Sequence, residues 1–350
     1  MRTFVRDDNV LERLGIDLSP PAALTHYFNF RHGHLIVKNE AERFGLGSFK
    51  ALGGYYAAAH LLEARRNGPA GNAAGSAEIS EGIPNCTSLS LVTASAGNHG
   101  IGVAAAASLL DATALVFLPR TTPQNFVHRL RQLGAEVRVL DGDYDDAVEQ
   151  ARSFARTEGH TYLPDTSEKT DDHTVHLVME GYSRMADEME REFQASSRWP
   201  NEIFLQAGVG TFAAALTQQI RVRWSHQPRI YIVEPDKAAC LAHAAGDRVR
   251  KPDQAEASIM QRLDCKVPSA VAVERLRELD VSYVQVSDEE ALGARSRLKT
   301  LGLRTSPSGA AGMAAHLKQP LDDAAERISL IILTERDEES AQAVSKGNES

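Results

Sequence analysis

Short apolar runs recur along this chain, each followed by a small-residue loop and then a helix-forming stretch. That alternation limits the possible folds more than any other feature. Runs at 89–93, 112–118 and 137–140 read as strands, and 100–110, 125–133 and 144–158 read as the helices that follow them. A second rhythm opens at His173 with a long helix reaching about residue 193. It continues as strand 202–206, helix 212–222, strands 229–233 and 281–286, helix 288–301 opened by Ser287, helix 310–317 and strand 328–333. Strands this short and apolar, alternating with helices, predict parallel sheets covered on both faces. The 350 residues leave room for two such units. The expected class is therefore α/β, with two lobes of parallel-sheet, three-layer architecture. A small mobile lobe is expected over 85–165, a large lobe over 1–84 plus 166–335, and a flexible tail over 336–350. Residues 1–34 read as irregular, broken by Ser19-Pro20-Pro21, with a strand at 34–38 after them. The Gly-, Ala- and Ser-rich stretch 67–85 reads as a mobile connector, and the polar run from Glu335 onward reads as fraying.

Composition removes several function classes. Hydrophobic residues make up 43% of the chain, near the globular average. No apolar run has the length of a bilayer span, and the first residues lack the apolar core of a signal peptide, so a cytoplasmic protein without a membrane partner is expected. The net charge of −9 argues against a nucleic-acid partner. The three cysteines, Cys86, Cys240 and Cys265, are widely spaced and suggest neither a disulfide frame nor a zinc site; buried thiols are expected.

One stretch points to chemistry. In Arg43-Phe44-Gly45-Leu46-Gly47-Ser48-Phe49-Lys50-Ala51-Leu52-Gly53-Gly54 a lysine follows two glycines and opens an apolar, helix-forming run at 51–66. The glycines suit a tight loop. Lys50 is thus expected at a loop-to-helix junction with its amine inward, where partial desolvation lowers the pKa and frees a nucleophilic amine for a Schiff base. A lysine that reaches to water from a helix start is the other reading, and these residues alone leave it open.

Three strand–helix junctions carry small polar loops: Ser95-Ala96-Gly97-Asn98-His99-Gly100, Gly208-Val209-Gly210-Thr211 and Ser306-Pro307-Ser308-Gly309. Ligands of open parallel sheets sit at the carboxyl ends of the strands, and helix N-termini offer N–H donors to a phosphate or a carboxylate. Neither a Walker A sequence nor a full G-x-G-x-x-G is present, which disfavours nucleotide and NAD binding. His99 reads either as an acid or base or as a loop-orienting hydrogen-bonder. Ser95 lacks a nucleophile elbow and reads better as a hydrogen-bond donor. Asp165 reads either as a base or as an N-cap. The pairs Asp145-Asp146 and Asp171-Asp172 read as solvated helix starts.

In order and spacing, these four loops resemble those of pyridoxal-phosphate enzymes of the tryptophan-synthase-β fold type, across residues 43–312. The resemblance is nearest to diaminopropionate ammonia-lyases. It rests on the lysine loop, on Gln206-Ala207-Gly208-Val209-Gly210, and on Leu263-Asp264-Cys265 with Pro268-Ser269. The resemblance implies pyridoxal 5'-phosphate as cofactor and assigns roles. Lys50 would hold the cofactor aldehyde and later take the Cα proton. Asn98 would bond the ring 3′-oxygen, and Ser95, Ala96, Gly97 and His99 would lie along the substrate. Gly208, Val209, Gly210 and Thr211 would hold the phosphate, and Ser308 would face the pyridine nitrogen. The implied reaction is α,β-elimination on a small amino acid such as 2,3-diaminopropionate, giving pyruvate and ammonia. A β-replacement synthase, a threonine or serine dehydratase and a non-catalytic cofactor-binding relative are the alternatives. Ala96 stands where those ammonia-lyases carry an aspartate, which implies loss of D-isomer use and leaves Asp165 as the base for the L-isomer. Gly47 replaces a usual asparagine. Some relatives bind a metal with a carboxylate, a carbonyl and an aspartate after the V-E-P strand; here Cys240 takes the aspartate's place, and no metal is expected. A homodimer is expected from the resemblance alone.

Overall fold

The computed structural model describes residues 9–17, 26–30, 33–67, 89–95, 97–320 and 326–337. The Ser19-Pro20-Pro21 breaker, the connector at 67–85 past Asn67, Cys86, Ala96 and the tail beyond Asp337 lie outside them. Two compact units are present. One comprises Met1–Leu18, Lys50–Asp165 and Asp172–Gly181; the other comprises Ser19–Phe49, Thr166–Asp171 and Tyr182–Ser350. Helix Lys50–Asn67 thus belongs with the smaller sheet, because it packs along helix Asn98–Leu109.

The first unit holds a four-stranded, wholly parallel sheet of β3 (Ser90–Ala94), β4 (Thr113–Pro119), β5 (Glu136–Leu140) and β6 (Thr161–Tyr162), in the order β5-β4-β3-β6. Side chains alternate across it, as strand geometry requires. Val92, Ala94, Leu115 and Phe117 pack on Ala147, Ala151 and Ala155 of helix Tyr144–Thr157. Val116 faces the other way, toward Gly100 in helix Asn98–Leu109. A capping box between Asp143 and Asp146 fixes the start of the helix at Tyr144.

The second unit is built on a six-stranded sheet in the order β1-β2-β10-β7-β8-β9: β1 (His26–Phe30), β2 (Gly33–Asn39), β7 (Glu202–Gln206), β8 (Arg229–Pro235), β9 (Ser282–Val286) and β10 (Arg327–Leu333). All pairings but one are parallel. Strand β1 runs antiparallel to β2, which corrects the irregular reading of 1–34; helix Asn9–Arg13 is a second regular element there. Leu35, Val37, Phe204, Val233, Ile331 and Leu333 pack on helices Asp288–Thr300 and Pro307–Lys318. The alternate residues Ile36, Ile203, Leu205, Ile232, Leu330 and Ile332 are buried as well, as a sheet covered on both faces demands. Ser287 and Glu290 form the capping box expected at residue 287.

Three further differences from the sequence reading have plain causes. Helix Asn98–Leu109 starts two residues before the expected Gly100, because extended Gly97 serves as its N-cap; Asn98 and His99 therefore occupy the first turn and not the loop. Helices Cys240–Ala245 and Ala270–Arg277 were not expected, since neither has a capping side chain to announce it. Glu335 does not fray: it is buried and bridges Ser48.

Candidate active site

Lys50 is the first residue of helix Lys50–Asn67. The approach is made of left-handed backbone: Phe44 at φ 52°, Gly45 at 71° and Gly47 at 85°. Phe44 is held in that conformation by its neighbours. Arg43, fully buried, forks onto Glu40 with Nε and Nη2 at 2.8 Å each and onto Glu188 at 3.0 and 2.7 Å. Phe49 is wedged between the rings of Tyr182 and Phe212, at 4.9 and 4.5 Å. At the helix start, Gly102 presses on Lys50 itself: a Cβ there would stand 3.0 Å from the Lys50 carbonyl oxygen. A Cβ on Gly181 would stand 2.4 Å from the Leu52 carbonyl oxygen. The lysine backbone is thus clamped by glycines that no larger residue can replace without movement.

The Lys50 amine lies 2.7 Å from Asp165 Oδ2. Both side chains are partly open, 18% and 21% exposed. Burial by itself pushes the Asp165 carboxyl up; the Lys50 charge and the direct hydrogen bond from Lys50 reverse that and hold it well below the usual carboxylate range. Asp165 is therefore the ionised partner of the lysine, not an N-cap; Asp172 caps the following helix through the Thr174 and Val175 N–H groups. His99 is buried, with Nε2 2.9 Å from the Leu163 carbonyl oxygen. A carbonyl only accepts, so Nε2 carries the proton and Nδ1 keeps a lone pair. Burial pushes the imidazole pKa down; Asp165 opposes this and Lys50 adds to it. His99 is thus tied to Leu163 with its pKa lowered, an arrangement that suits holding the loop more than proton transfer. Ser95 Oγ accepts the Gly97 N–H at 3.3 Å, which shapes the same turn. The first unit thus brings together Lys50, Asp165, Ser95, Gly97, Asn98 and His99.

The second unit carries the glycine loop at 208–211. Gly210, at φ 97°, is the N-cap of helix Thr211–Arg223 and offers no capping side chain. Among the described residues, none accepts a hydrogen bond from the N–H groups of Gly208, Val209, Gly210 or Thr211. A Cβ on Gly208 would stand 2.9 Å from Cys265 Sγ and 3.0 Å from the Arg262 carbonyl oxygen, so the backbone is packed from behind. Cys240 Sγ donates to the Gly208 carbonyl at 3.5 Å. Leu241, whose N–H donates to buried Glu234 at 2.7 Å, packs under Gly210. Burial raises that Glu234 carboxyl to about 7, against the two backbone N–H groups it accepts. Ser308, in the first turn of helix Pro307–Lys318, accepts the Arg262 N–H at 3.2 Å, and its own O–H has no acceptor among the described residues.

Each unit by itself carries part of what pyridoxal 5'-phosphate needs: the first an amine that can form an imine, the second four N–H groups at a helix start, unpaired among the described residues, and a hydroxyl. Sequence reasoning missed Arg262, Glu335 and the clamp glycines Gly102 and Gly181. None belongs to a motif, and only the contact of distant segments reveals them. Among the described residues, no helix is long and apolar enough to cross a membrane.

Comparison with known proteins agrees with the geometry. A profile described as "Pyridoxal-phosphate dependent enzyme" matches residues 20–335. The diaminopropionate ammonia-lyase of Salmonella typhimurium is 33% identical over 285 residues, covering 77% of this chain and 70% of that protein. The enzyme of the same name from Escherichia coli K12 is 33% identical over 271 residues, covering 75% of this chain and 66% of its own length. A crystal structure of the E. coli enzyme, in complex with an aminoacrylate-PLP azomethine reaction intermediate, superposes with a TM-score of 0.77 at 27% identity, over 95% of this chain and 89% of that one. The chain belongs to the fold-type II pyridoxal-phosphate dependent enzymes and is related to ammonia-lyases and dehydratases.

Proposed function

We propose that this protein catalyses α,β-elimination on a small β-substituted L-amino acid, with 2,3-diaminopropionate as the favoured substrate, releasing pyruvate and ammonia. The observation that carries the reading is the partly open Lys50–Asp165 pair at 2.7 Å. Pyridoxal phosphate supplies, when bound, an electron sink for charge left at the substrate Cα. Lys50 Nζ would hold the cofactor aldehyde until substrate displaces it, leaving the Cα proton of the L-isomer to Asp165. The N–H groups of Gly208, Val209, Gly210 and Thr211 hold the phosphate. Asn98 would hold the ring 3′-oxygen, and Ser308 would donate to the ring nitrogen. Ser95, Gly97 and the backbone N–H of His99, in the first turn of its helix, would seat the substrate carboxylate. Asp165 is depressed by the Lys50 ammonium while burial pulls the other way. When Lys50 is engaged elsewhere, the depressing charge is gone and Asp165 gains affinity for a proton, as a base for the L-isomer requires.

Ala96 stands where the ammonia-lyases carry an aspartate, so the D-isomer is expected to react poorly. The relatives' shared name favours 2,3-diaminopropionate over serine and threonine. The test is a panel of the L- and D-isomers of 2,3-diaminopropionate, serine and threonine with the cofactor-loaded protein. Pyruvate from L-2,3-diaminopropionate in excess over the others is the expected result. A stable new amino acid formed from an added nucleophile would instead mark a β-replacement synthase, and colour without turnover a non-catalytic relative.

A further inference from the structure

Glu335 opens the polar run that the sequence reads as fraying, yet it is buried and joined to several segments. Its backbone bridges Ser48 in antiparallel fashion. On either side of that bridge the Phe49 N–H donates to the Thr334 carbonyl at 3.3 Å and the Arg336 N–H to the Gly47 carbonyl at 2.8 Å. This short ladder fixes the chain that leads into Lys50. Thr305 Oγ1 donates to the Glu335 carbonyl at 2.6 Å. In the side chain, Oε1 accepts from the Ser306 hydroxyl, and Oε2 lies 3.7 Å from Arg262 Nε.

Arg262 is the other half of the arrangement. Its backbone N–H donates to Ser308 Oγ at 3.2 Å, and its carbonyl oxygen lies 3.0 Å from where a Gly208 Cβ would stand. One residue's backbone therefore touches both Ser308 and Gly208, while its guanidinium answers to Glu335. Ser306 caps the helix that carries Ser308, through the Gly309 N–H at 3.1 Å. We propose that Glu335 is a positioning residue for the cofactor seat, holding Ser308 and the Gly208 backbone in register through Arg262 and Ser306. This rests on the functional reading above, in which Ser308 and the loop at 208–211 meet the cofactor.

The contacts call for a carboxylate. Ser306 Oγ already accepts the Gly309 N–H and gives its own proton to Glu335. A guanidinium only donates. Glu335 must accept on both sides, which an ionised carboxylate does. Glutamine satisfies one side only: with its carbonyl on Ser306, its NH2 faces the Arg262 guanidinium, donor against donor. Arg262 then shifts, and the two backbone contacts it makes shift with it.

The test uses the full-length protein as wild type, Glu335→Gln, Ser308→Ala and the double variant. The readouts are the pH dependence of the visible absorbance of the lysine–cofactor adduct and the dissociation constant for cofactor added to stripped protein. Glu335→Gln is expected to move the pH profile and to weaken cofactor binding roughly tenfold, about what the loss of one charge-assisted contact gives. In the Ser308→Ala background, Glu335→Gln is expected to move the profile no further, because its effect on the ring runs through Ser308, while the part of the binding loss that runs through Gly208 persists. An equal movement in both backgrounds, or none in the wild-type background, overturns the proposal. Should Glu335→Gln fail to fold, Arg262→Met carries the same test from the other side of the contact. If the wild type forms no visible adduct, the functional reading falls and takes this proposal with it. A normal wild-type adduct with an unmoved Glu335→Gln removes the role of Glu335 alone.

Discussion

Two lysine–carboxylate contacts of similar length, twelve residues apart at the lysines, are built to opposite ends. Lys38 lies 2.9 Å from Glu188, with both side chains 3% exposed. Around them Arg43 forks onto Glu40 and Glu188, so Lys38, Arg43 and the two carboxylates meet in the interior, with the more open Arg184 3.6 Å from Glu188 at the edge. Lys50 lies 2.7 Å from Asp165, but with 18% and 21% of the side chains open. The first set is desolvated and geometrically saturated, and breaking it strands a buried charge. The second is partly solvated, and its amine can leave. Distance does not separate a structural pair from a functional one here; burial and the number of forked bonds do.

The largest expected effect breaks this comparison from the functional side. Lys50→Ala should lower elimination by at least about a thousandfold, as loss of the nucleophile does. It should change the unfolding free energy of the cofactor-free protein by no more than about 1 kcal/mol, the range of a partly exposed ion pair. A cofactor-free Lys50→Ala protein that loses several kcal/mol would show that Lys50, like Lys38, is structural.

From the other side, Glu188→Gln leaves Lys38 and Arg43 with one carboxylate, and the expected cost is about 3–5 kcal/mol by denaturant unfolding. The pH dependence follows with a definite sign. Burial raises the Glu188 carboxyl, but Arg43 and Lys38 overcome it and hold the group at about 2, against an ordinary 4.5. A depressed folded-state pKa means stability that is complete above the ordinary value and lost as pH falls toward about 2. Wild type should therefore shed stability over that acid window, and Glu188→Gln should show a shallower slope there. Equal slopes would remove the buried cluster from the account.

How much of this was legible in the sequence follows the same division. The alternation of strand and helix was readable because apolar runs and small-residue loops are local. Lys50, the loop at 208–211 and Ser308 were readable because each sits at a strand–helix junction of recognisable composition. Arg43, Glu188, Arg262 and Glu335 were not, since a charged residue in a sequence looks solvated until distant segments close around it. Helix Cys240–Ala245 escaped because backbone N–H groups and the Glu234 carboxylate, not a capping residue, define its start. His99 was left between two roles; the Leu163 carbonyl, 64 residues away in sequence, supplies the bond that favours orientation.

A smaller effect sharpens the description of the lysine's backbone. Gly54→Ala puts a Cβ 2.7 Å from the Gly102 carbonyl oxygen, and overpacking of this kind costs about 1–3 kcal/mol. Gly293, with nothing within 4 Å of its Cβ position, is the control: Gly293→Ala in helix Asp288–Thr300 should gain stability, by roughly 0.5–1 kcal/mol. Equal effects at the two sites would mean that helices Lys50–Asn67 and Asn98–Leu109 are not in close contact. Smallest in stability is Asp165→Asn, expected within about 1 kcal/mol. Its signature is kinetic: loss of turnover on the L-isomer while the lysine still takes the cofactor. Unaltered turnover would leave Asp165 as a counter-ion only.

The most direct test is borohydride reduction of the cofactor-loaded protein followed by peptide mass mapping. A single pyridoxyl-phosphate adduct on Lys50, formed only when cofactor is present and abolished by prior addition of excess L-2,3-diaminopropionate, is the result expected here. An adduct fixed on another lysine, or none at all, would contradict the account at its centre.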